Sequence, residues 1–465
     1  MPFSSFGLHA DLLRGIKELG FTRPTPIQEQ SIGPAMLGRD VLACAQTGSG
    51  KTAAFLLPML HRFMTHPRPG VRALIITPTR ELAAQIHEHL GQLAAHTPIS
   101  GAAVFGGVGM APQEHAFRAG VNIIVATPGR LLDHMKRSYV NFQGLEVLVL
   151  DEADRMLDMG FLPDIKRILR VLPPKRQTLF FSATMPNEIR QLTHELLKNP
   201  ASIQVERQSG PAVGITQAIY PVPQHLKSGL LVELLKNEGL ESVICFTRTK
   251  HRANRLADFL KRNSIKCAAI HGNRTQSQRT QALAGFKAGD YRVLVATDIA
   301  ARGIDIQDVS HVVNFDCPHI PDDYIHRVGR TGRASATGDA FTFVSQEEES
   351  DLRSIERAIN RRLPRVTLPG FDYNQKTQER LEIPIAERIA AIRAQKAMER
   401  SRRDAKGRQG GAQGGGQGSR RDQDRRKPGL PGHGNQGFGG GAQGGSQPQG
   451  GRSQWGKPRR QGGGR

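Results

Sequence analysis

The chain has 465 residues, 38% of them hydrophobic, enough for two or three domains with sizeable cores. Its 64 Lys and Arg outnumber its 42 Asp and Glu, and the net charge of +22 makes polyanions, nucleic acid or an acidic membrane face the natural partners. No apolar run reaches the roughly 18 residues of a membrane span, the start MPFSSFGLHADLL is not a secretion signal, and Cys44, Cys245, Cys267 and Cys317 stand singly, so secreted, membrane-spanning and zinc-ribbon proteins are disfavoured and a cytoplasmic protein is expected.

Short apolar runs recur along the first 365 residues, each closed by Gly, Thr, Ser or Asp and followed by a helical pattern. In chain order they are VLACAQTG (41–48), ALIITPTR (73–80), NIIVATPGR (122–130), EVLVLDEAD (146–154) and TLFFSAT (178–184). After a polar stretch with Gly and Pro come SVICFTRT (242–249), CAAIHG (267–272), RVLVATD (292–298), HVVNFD (311–316) and AFTFVS (340–345). Continuous apolar strands alternating with helices predict parallel sheets covered on both faces, hence two similar α/β domains in tandem. The expected divisions are 1–30 as an entry region, 31–208 as the first domain, 209–217 as a linker, 218–365 as the second domain, 366–400 as a basic helical extension and 401–465 as a tail. The tail holds 14 Lys/Arg, 3 acids and 22 of the 51 glycines, and so few apolar side chains that it should be disordered.

Ligands of open parallel sheets bind at the carboxyl ends of the strands, so the polar residues closing each run are where chemistry is expected. After the first run stands Ala45-Gln46-Thr47-Gly48-Ser49-Gly50-Lys51-Thr52. Small residues there let backbone N–H groups face phosphates, Lys51 would meet the β- and γ-phosphates, and the Thr52 hydroxyl would ligate Mg²⁺. One hundred residues further on, Asp151-Glu152-Ala153-Asp154 closes an apolar run. Asp151 at a strand tip would hold the Mg²⁺ shell and Glu152 would orient the attacking water.

With these motifs in this order, residues 1–365 resemble a DEAD-box RNA helicase, and the Gly/Arg-rich tail resembles those of bacterial members of the RhlE type, though no RGG triplet occurs. The resemblance implies two RecA-like domains, ATP and Mg²⁺ as cofactors, and RNA as partner. Phe21, Pro24, Thr25, Pro26, Ile27 and Gln28 match the family's Q motif, in which Gln28 would pair with adenine, while the upstream Phe3 would stack on the base. Ser182-Ala183-Thr184 matches the motif that couples hydrolysis to strand separation, and Asp154 and His326 would share that coupling role. In the second domain Arg302-Gly303-Ile304-Asp305 matches a motif whose Asp305 resembles a ribose contact. In 326–333, HRVGRTGR, Arg330 and Arg333 would be the arginine fingers. With Lys51, Asp151 and Glu152 on one domain and Arg330 and Arg333 on the other, catalysis would require the cleft to close.

The remaining strand-end motifs carry hydroxyls, glycines and arginines suited to a sugar–phosphate backbone. By the resemblance, Pro78, Thr79 and Arg80, the Gly106-Gly107 pair, and Thr127, Pro128, Gly129 and Arg130 would touch RNA in the first domain. Arg248, Gly272, Arg279, Thr297 and Arg302 would do so in the second, although Phe246-Thr247-Arg248 reads equally well as a turn. Such contacts bind without specifying sequence. The expected activity is RNA-stimulated ATP hydrolysis coupled to local, non-processive opening of short duplexes or remodelling of ribonucleoproteins. Ribosome assembly and RNA decay are both compatible settings, and complexes of either kind are candidate partners. The same motifs also suit an ATP-gated RNA clamp, whereas a DNA translocase is disfavoured. The tail reads as a nonspecific RNA tether, with solubility or phase separation as the competing role.

Overall fold

The computed structural model describes residues 2–45, 48–205, 214–236, 240–301, 306, 309–332 and 337–375. Gln46, Thr47, Arg302, Asp305 and Arg333, much of the expected linker, most of the extension and all of the tail lie outside the described residues.

The chain enters through α1 (Ala10–Glu18) and α2 (Pro26–Met36) and then alternates strand and helix: β1 (Val41–Cys44), α3 (Lys51–Thr65), β2 (Ala73–Ile76), α4 (Arg80–Leu93), β3 (Gly101–Val104), α5 (Met110–Ala119), β4 (Ile123–Ala126) and α6 (Pro128–Met135). It continues with β5 (Val147–Leu150), α7 (Ala153–Asp158), α8 (Leu162–Val171), β6 (Gln177–Ser182), α9 (Asn187–Leu196) and β7 (Ala201–Gln204). These strands form one parallel sheet in the order β3-β4-β2-β5-β6-β1-β7. Along β2, Ala73 and Ile75 enter one core and Leu74 and Ile76 the other, so the apolar run is continuous because both sheet faces are buried.

The second domain repeats the plan with β8 (Ile215–Pro221), α10 (Lys227–Lys236), β9 (Val243–Phe246), α11 (Lys250–Arg262), β10 (Cys267–Ile270), α12 (Gln276–Lys287) and β11 (Val293–Ala296). Then come α13 (Asp298–Ala301), β12 (His311–Asn314), α14 (Pro321–Val328), β13 (Gly338–Val344) and α15 (Glu349–Ala358). Its parallel sheet has the order β10-β11-β9-β12-β13-β8. No helix among the described residues is long and apolar enough to cross a membrane.

All ten expected strands form, and three more appear. β3 (GAAV) and β7 (ASIQ) carry few of the β-branched residues that mark a strand. Strand β8 starts at Ile215, inside the expected linker. Residues 366–375 differ from the expected helical start of the extension: they run as a strap. The Ile219 N–H donates to Pro364 O and the Val366 N–H to Ile219 O, each at 2.8 Å, which covers the free edge of β8. Leu368, Phe371 and Tyr373 then pack on the core under α10.

Candidate active site and nucleic-acid interface

The loop after β1 ends in Gly48 (φ +83°) and Gly50 (φ +91°), left-handed conformations that favour glycine. A Cβ on Gly50 would lie 2.5 Å from Gln28 Nε2, so this glycine also admits the Q-motif glutamine against the loop. Gln28 Nε2 donates to Gly50 O (3.0 Å), Thr25 Oγ1 to Ser49 O (2.7 Å), and Gln28 Oε1 accepts from the Thr25 N–H (2.9 Å). The amide expected to read adenine therefore also braces the phosphate loop. Phe3 is buried, stacked on the half-exposed Phe21 with centroids 6.4 Å apart. Lys51, the first residue of α3, is buried and donates to Ala45 O at 3.1 Å; Thr52 follows it at the N-terminus of the helix.

β5 delivers Asp151 and Glu152 to the same end of the sheet. Burial pushes the Asp151 carboxyl up to about 6, against the pull of the Lys51 charge and with Glu152 adding to the rise. Burial would raise Glu152 as well, but the Arg155, Lys51 and Arg330 charges outweigh it and hold that carboxyl below its ordinary value. Arg155 Nη1 donates to Glu152 Oε2 at 2.7 Å with both side chains buried. Sequence reasoning passed over Arg155, since an arginine on a short helix ordinarily faces water; its position three residues after Glu152 was the available signal. Arg330, at the end of α14 in the second domain, is buried and close enough for its charge to act on Glu152. His326 lies one helical turn before it on α14.

Asp154 joins the Ser-Ala-Thr segment directly. Its Oδ2 accepts from the N–H groups of Ala183 (3.2 Å) and Thr184 (2.8 Å) and from Thr184 Oγ1 (2.9 Å). The Asp154 N–H donates to Ser182 Oγ (3.2 Å), which donates in turn to Thr184 O (2.7 Å). A shift of either segment is thus felt by the other.

Those expected RNA residues that are described lie in the turns and first helical residues that follow the strands of both sheets. Pro78 and Thr79 are buried at the start of α4, where Thr79 Oγ1 accepts the Leu82 N–H. The Arg80 guanidinium packs against Gly106 and Gly107, and a Cβ on Gly107 (φ +85°) would lie 2.0 Å from its Nη1. Thr127 and Pro128 start α6, Gly129 beside them is exposed, and Arg130 Nη1 donates to Val108 O at 2.9 Å. In the second domain the Gly272 turn is exposed and Thr297 is buried after β11. Arg248 is tied to Glu348 and to Cys317 O, each at 3.3 Å.

Arg279 has an additional role. Its Nε donates to Glu81 Oε1 at 2.7 Å, and Gln276 Nε2 donates to the same oxygen at 3.1 Å, so α12 of the second domain is joined to α4 of the first. Arg327 grips Asp298 bidentately (2.6 and 2.8 Å), fixing α14 to α13.

Residues 25–192 match the DEAD/DEAH box helicase family and residues 226–335 the helicase conserved C-terminal domain. The chain is 42% identical over 392 residues to the DEAD-box ATP-dependent RNA helicase CshA of Bacillus subtilis, covering 83% of this chain and 79% of that protein. It is 40% identical over 390 residues to RhpA of Helicobacter pylori, covering 84% and 79%. Among solved structures it superposes on S. cerevisiae Dbp5 bound to RNA and ADP BeF3 with TM-score 0.70 and 33% identity, covering 79% of this chain and 95% of that one. The chain belongs to the DEAD-box ATP-dependent RNA helicases: it is an enzyme driven by ATP hydrolysis, built on two RecA-like domains. The relatives named here are of the CshA and RhpA types rather than the expected RhlE type.

Proposed function

We propose that the protein is an RNA-stimulated ATPase that opens short duplexes locally, without processive travel, or remodels ribonucleoproteins. The observation that carries this reading is the pair of links between the domains: Arg330 acting on Glu152 at the nucleotide end, and Arg279 with Gln276 on Glu81 at the RNA end. Two sites joined by one closure share one free energy, so occupancy of either favours the other.

In this reading Lys51 holds the β- and γ-phosphates, Glu152 orients water for in-line attack, and Arg330 and Arg333 offset charge on the γ-phosphate. Asp151 and Thr52 are few and hard oxygen donors, a set that suits Mg²⁺, an ion that keeps waters and phosphate oxygens as further ligands. When bound, the ion would neutralise phosphate charge. Arg80, Arg130, Arg248 and Arg302 contribute positive charge for RNA phosphates, and the basic tail tethers the chain to RNA. A role in ribosome assembly or RNA decay accords with this activity, and the Gly/Arg-rich tail leaves the RhlE type as the reading of its subgroup.

The test compares ATP hydrolysis by the full chain alone, with single-stranded DNA and with structured RNA. Strong stimulation by RNA only is expected; equal rates in all three would remove the RNA groove. Strand separation that tracks ATP turnover supports unwinding, whereas long RNA residence without separation would make the protein an ATP-gated clamp.

A further inference from the structure

The loop 105–109 carries the Gly106-Gly107 pair on which Arg80 rests, and it accepts the hydrogen bond from Arg130 at Val108 O. Its shape is set from below by three residues outside every motif quoted for the family. Gln113 on α5 is buried, and its Nε2 donates to Phe105 O (3.0 Å) and Gly109 O (3.3 Å), one carbonyl at each end of the loop. With both amide hydrogens so placed, Gln113 Oε1 is an acceptor, and it faces His134 Nε2 at 3.1 Å. The imidazole therefore carries its hydrogen on Nε2, and its Nδ1 accepts from the Tyr139 hydroxyl at 2.8 Å.

His134 is fully buried against the Phe117 ring, 5.3 Å between centroids, and the Arg118 guanidinium lies over Tyr139 at 5.1 Å. Burial, with the Arg130 and Arg137 charges acting against Asp133 and Glu114, lowers the imidazole's affinity for protons, as a neutral ring with one donor and one acceptor requires. Every polar atom of the series has one direction: Tyr139 to His134, His134 to Gln113, Gln113 to both ends of the loop.

We propose that Tyr139, His134 and Gln113 are positioning residues for RNA binding: a relay, buried at Gln113 and His134 and half-buried at Tyr139, that holds loop 105–109 in the one shape that presents Arg80 and Arg130 to the RNA backbone. The inference rests on the groove reading above. A five-residue loop with three glycines is otherwise free to sample many conformations, and pre-ordering it lowers the entropic cost of binding.

The experiment uses the full chain and a short single-stranded poly(U) RNA, and follows RNA-free ATP hydrolysis, the RNA concentration for half-maximal stimulation, and the thermal midpoint. Gln113→Met and His134→Phe are expected to raise that RNA concentration about tenfold, equivalent to about 1.4 kcal/mol, while RNA-free hydrolysis stays at the wild-type rate. His134→Gln keeps one donor and one acceptor and should recover most of the loss. Tyr139→Phe removes a single hydroxyl, so it reports on the relay even if a larger change impairs folding, and should give a smaller shift of the same sign. Wild-type half-saturation in Gln113→Met and Tyr139→Phe, beside a weakened Arg130→Gln, overturns the relay and leaves the groove standing. An unchanged Arg130→Gln overturns the groove reading and the relay's purpose with it.

Discussion

Glu152 occupies a left-handed backbone conformation, φ +54° and ψ +50°, at the junction of β5 and α7, which costs a non-glycine residue about 1–3 kcal/mol. The surroundings hold it there, with the Arg155 pair on its carboxylate and the Asp151 Oδ1 acceptor on its N–H at 3.0 Å. Glu152→Gln keeps the size and removes the charge. Nucleotide and RNA binding should survive while single-turnover ATP hydrolysis falls about 10²–10⁴-fold. A second test concerns His271, buried with its Nδ1 accepting the Asn273 N–H and its Nε2 bonded to Asn254 Oδ1. Burial and the Arg274 and Arg279 charges lower its pKa from 6.5 to about 4. The unfolded chain then binds more protons between those values, so stability is present above pH 6.5 and is lost as pH falls toward 4, by on the order of 1–2 kcal/mol. Thermal midpoints of wild type and His271→Gln across that range should converge at the acid end. The nucleotide loop and the DEAD residues were legible in the sequence because each is contiguous and chemically distinctive. Arg155, Gln113 and His134 were not, since their meaning lies in a partner that only the folded chain supplies.

At the scale of elements, strands were legible wherever burial on both faces forced an unbroken apolar run. The polar or glycine-rich ones were not, because their place is set by neighbours. Gly101 opens β3, and a Cβ there would lie 2.3 Å from Leu90 on α4, so packing rather than β-propensity selects that residue. The first ten residues of the expected helical extension run as a strap instead, because Pro364, Pro369 and Gly370 interrupt helical spacing there. Leu363, Val366, Leu368, Phe371 and Tyr373 nonetheless pack against the second domain's cores. Ending the chain after residue 362 should cost on the order of 4 kcal/mol and lower the second domain's thermal midpoint, whereas ending it after residue 375 should leave that midpoint unchanged. Equal midpoints in the two truncations would relegate the strap to a surface decoration.

Across the whole molecule, one carboxylate oxygen of Glu81 receives both Gln276 and Arg279 from 195 and 198 residues away. No local pattern announces such a pairing, although Arg279 is one of the residues the chain alone marks for the RNA groove. Glu81→Ala leaves Arg279 without its buried counter-charge, and RNA-stimulated turnover should drop about five- to tenfold. RNA-stimulated rates at saturating ATP measure this directly, and an undiminished rate would mean that closure does not depend on that oxygen.

The bracing of the phosphate loop by Gln28 bears on how the enzyme tells one fuel from another. A purine that engages this amide draws on the same group that holds Gly50 O, so the identity of the base is transmitted to the walls around the triphosphate. An adenine paired with Gln28 as expected would act on the shape of the loop as well as on its own binding, so Gln28→Ala should disturb nucleotide affinity and turnover together.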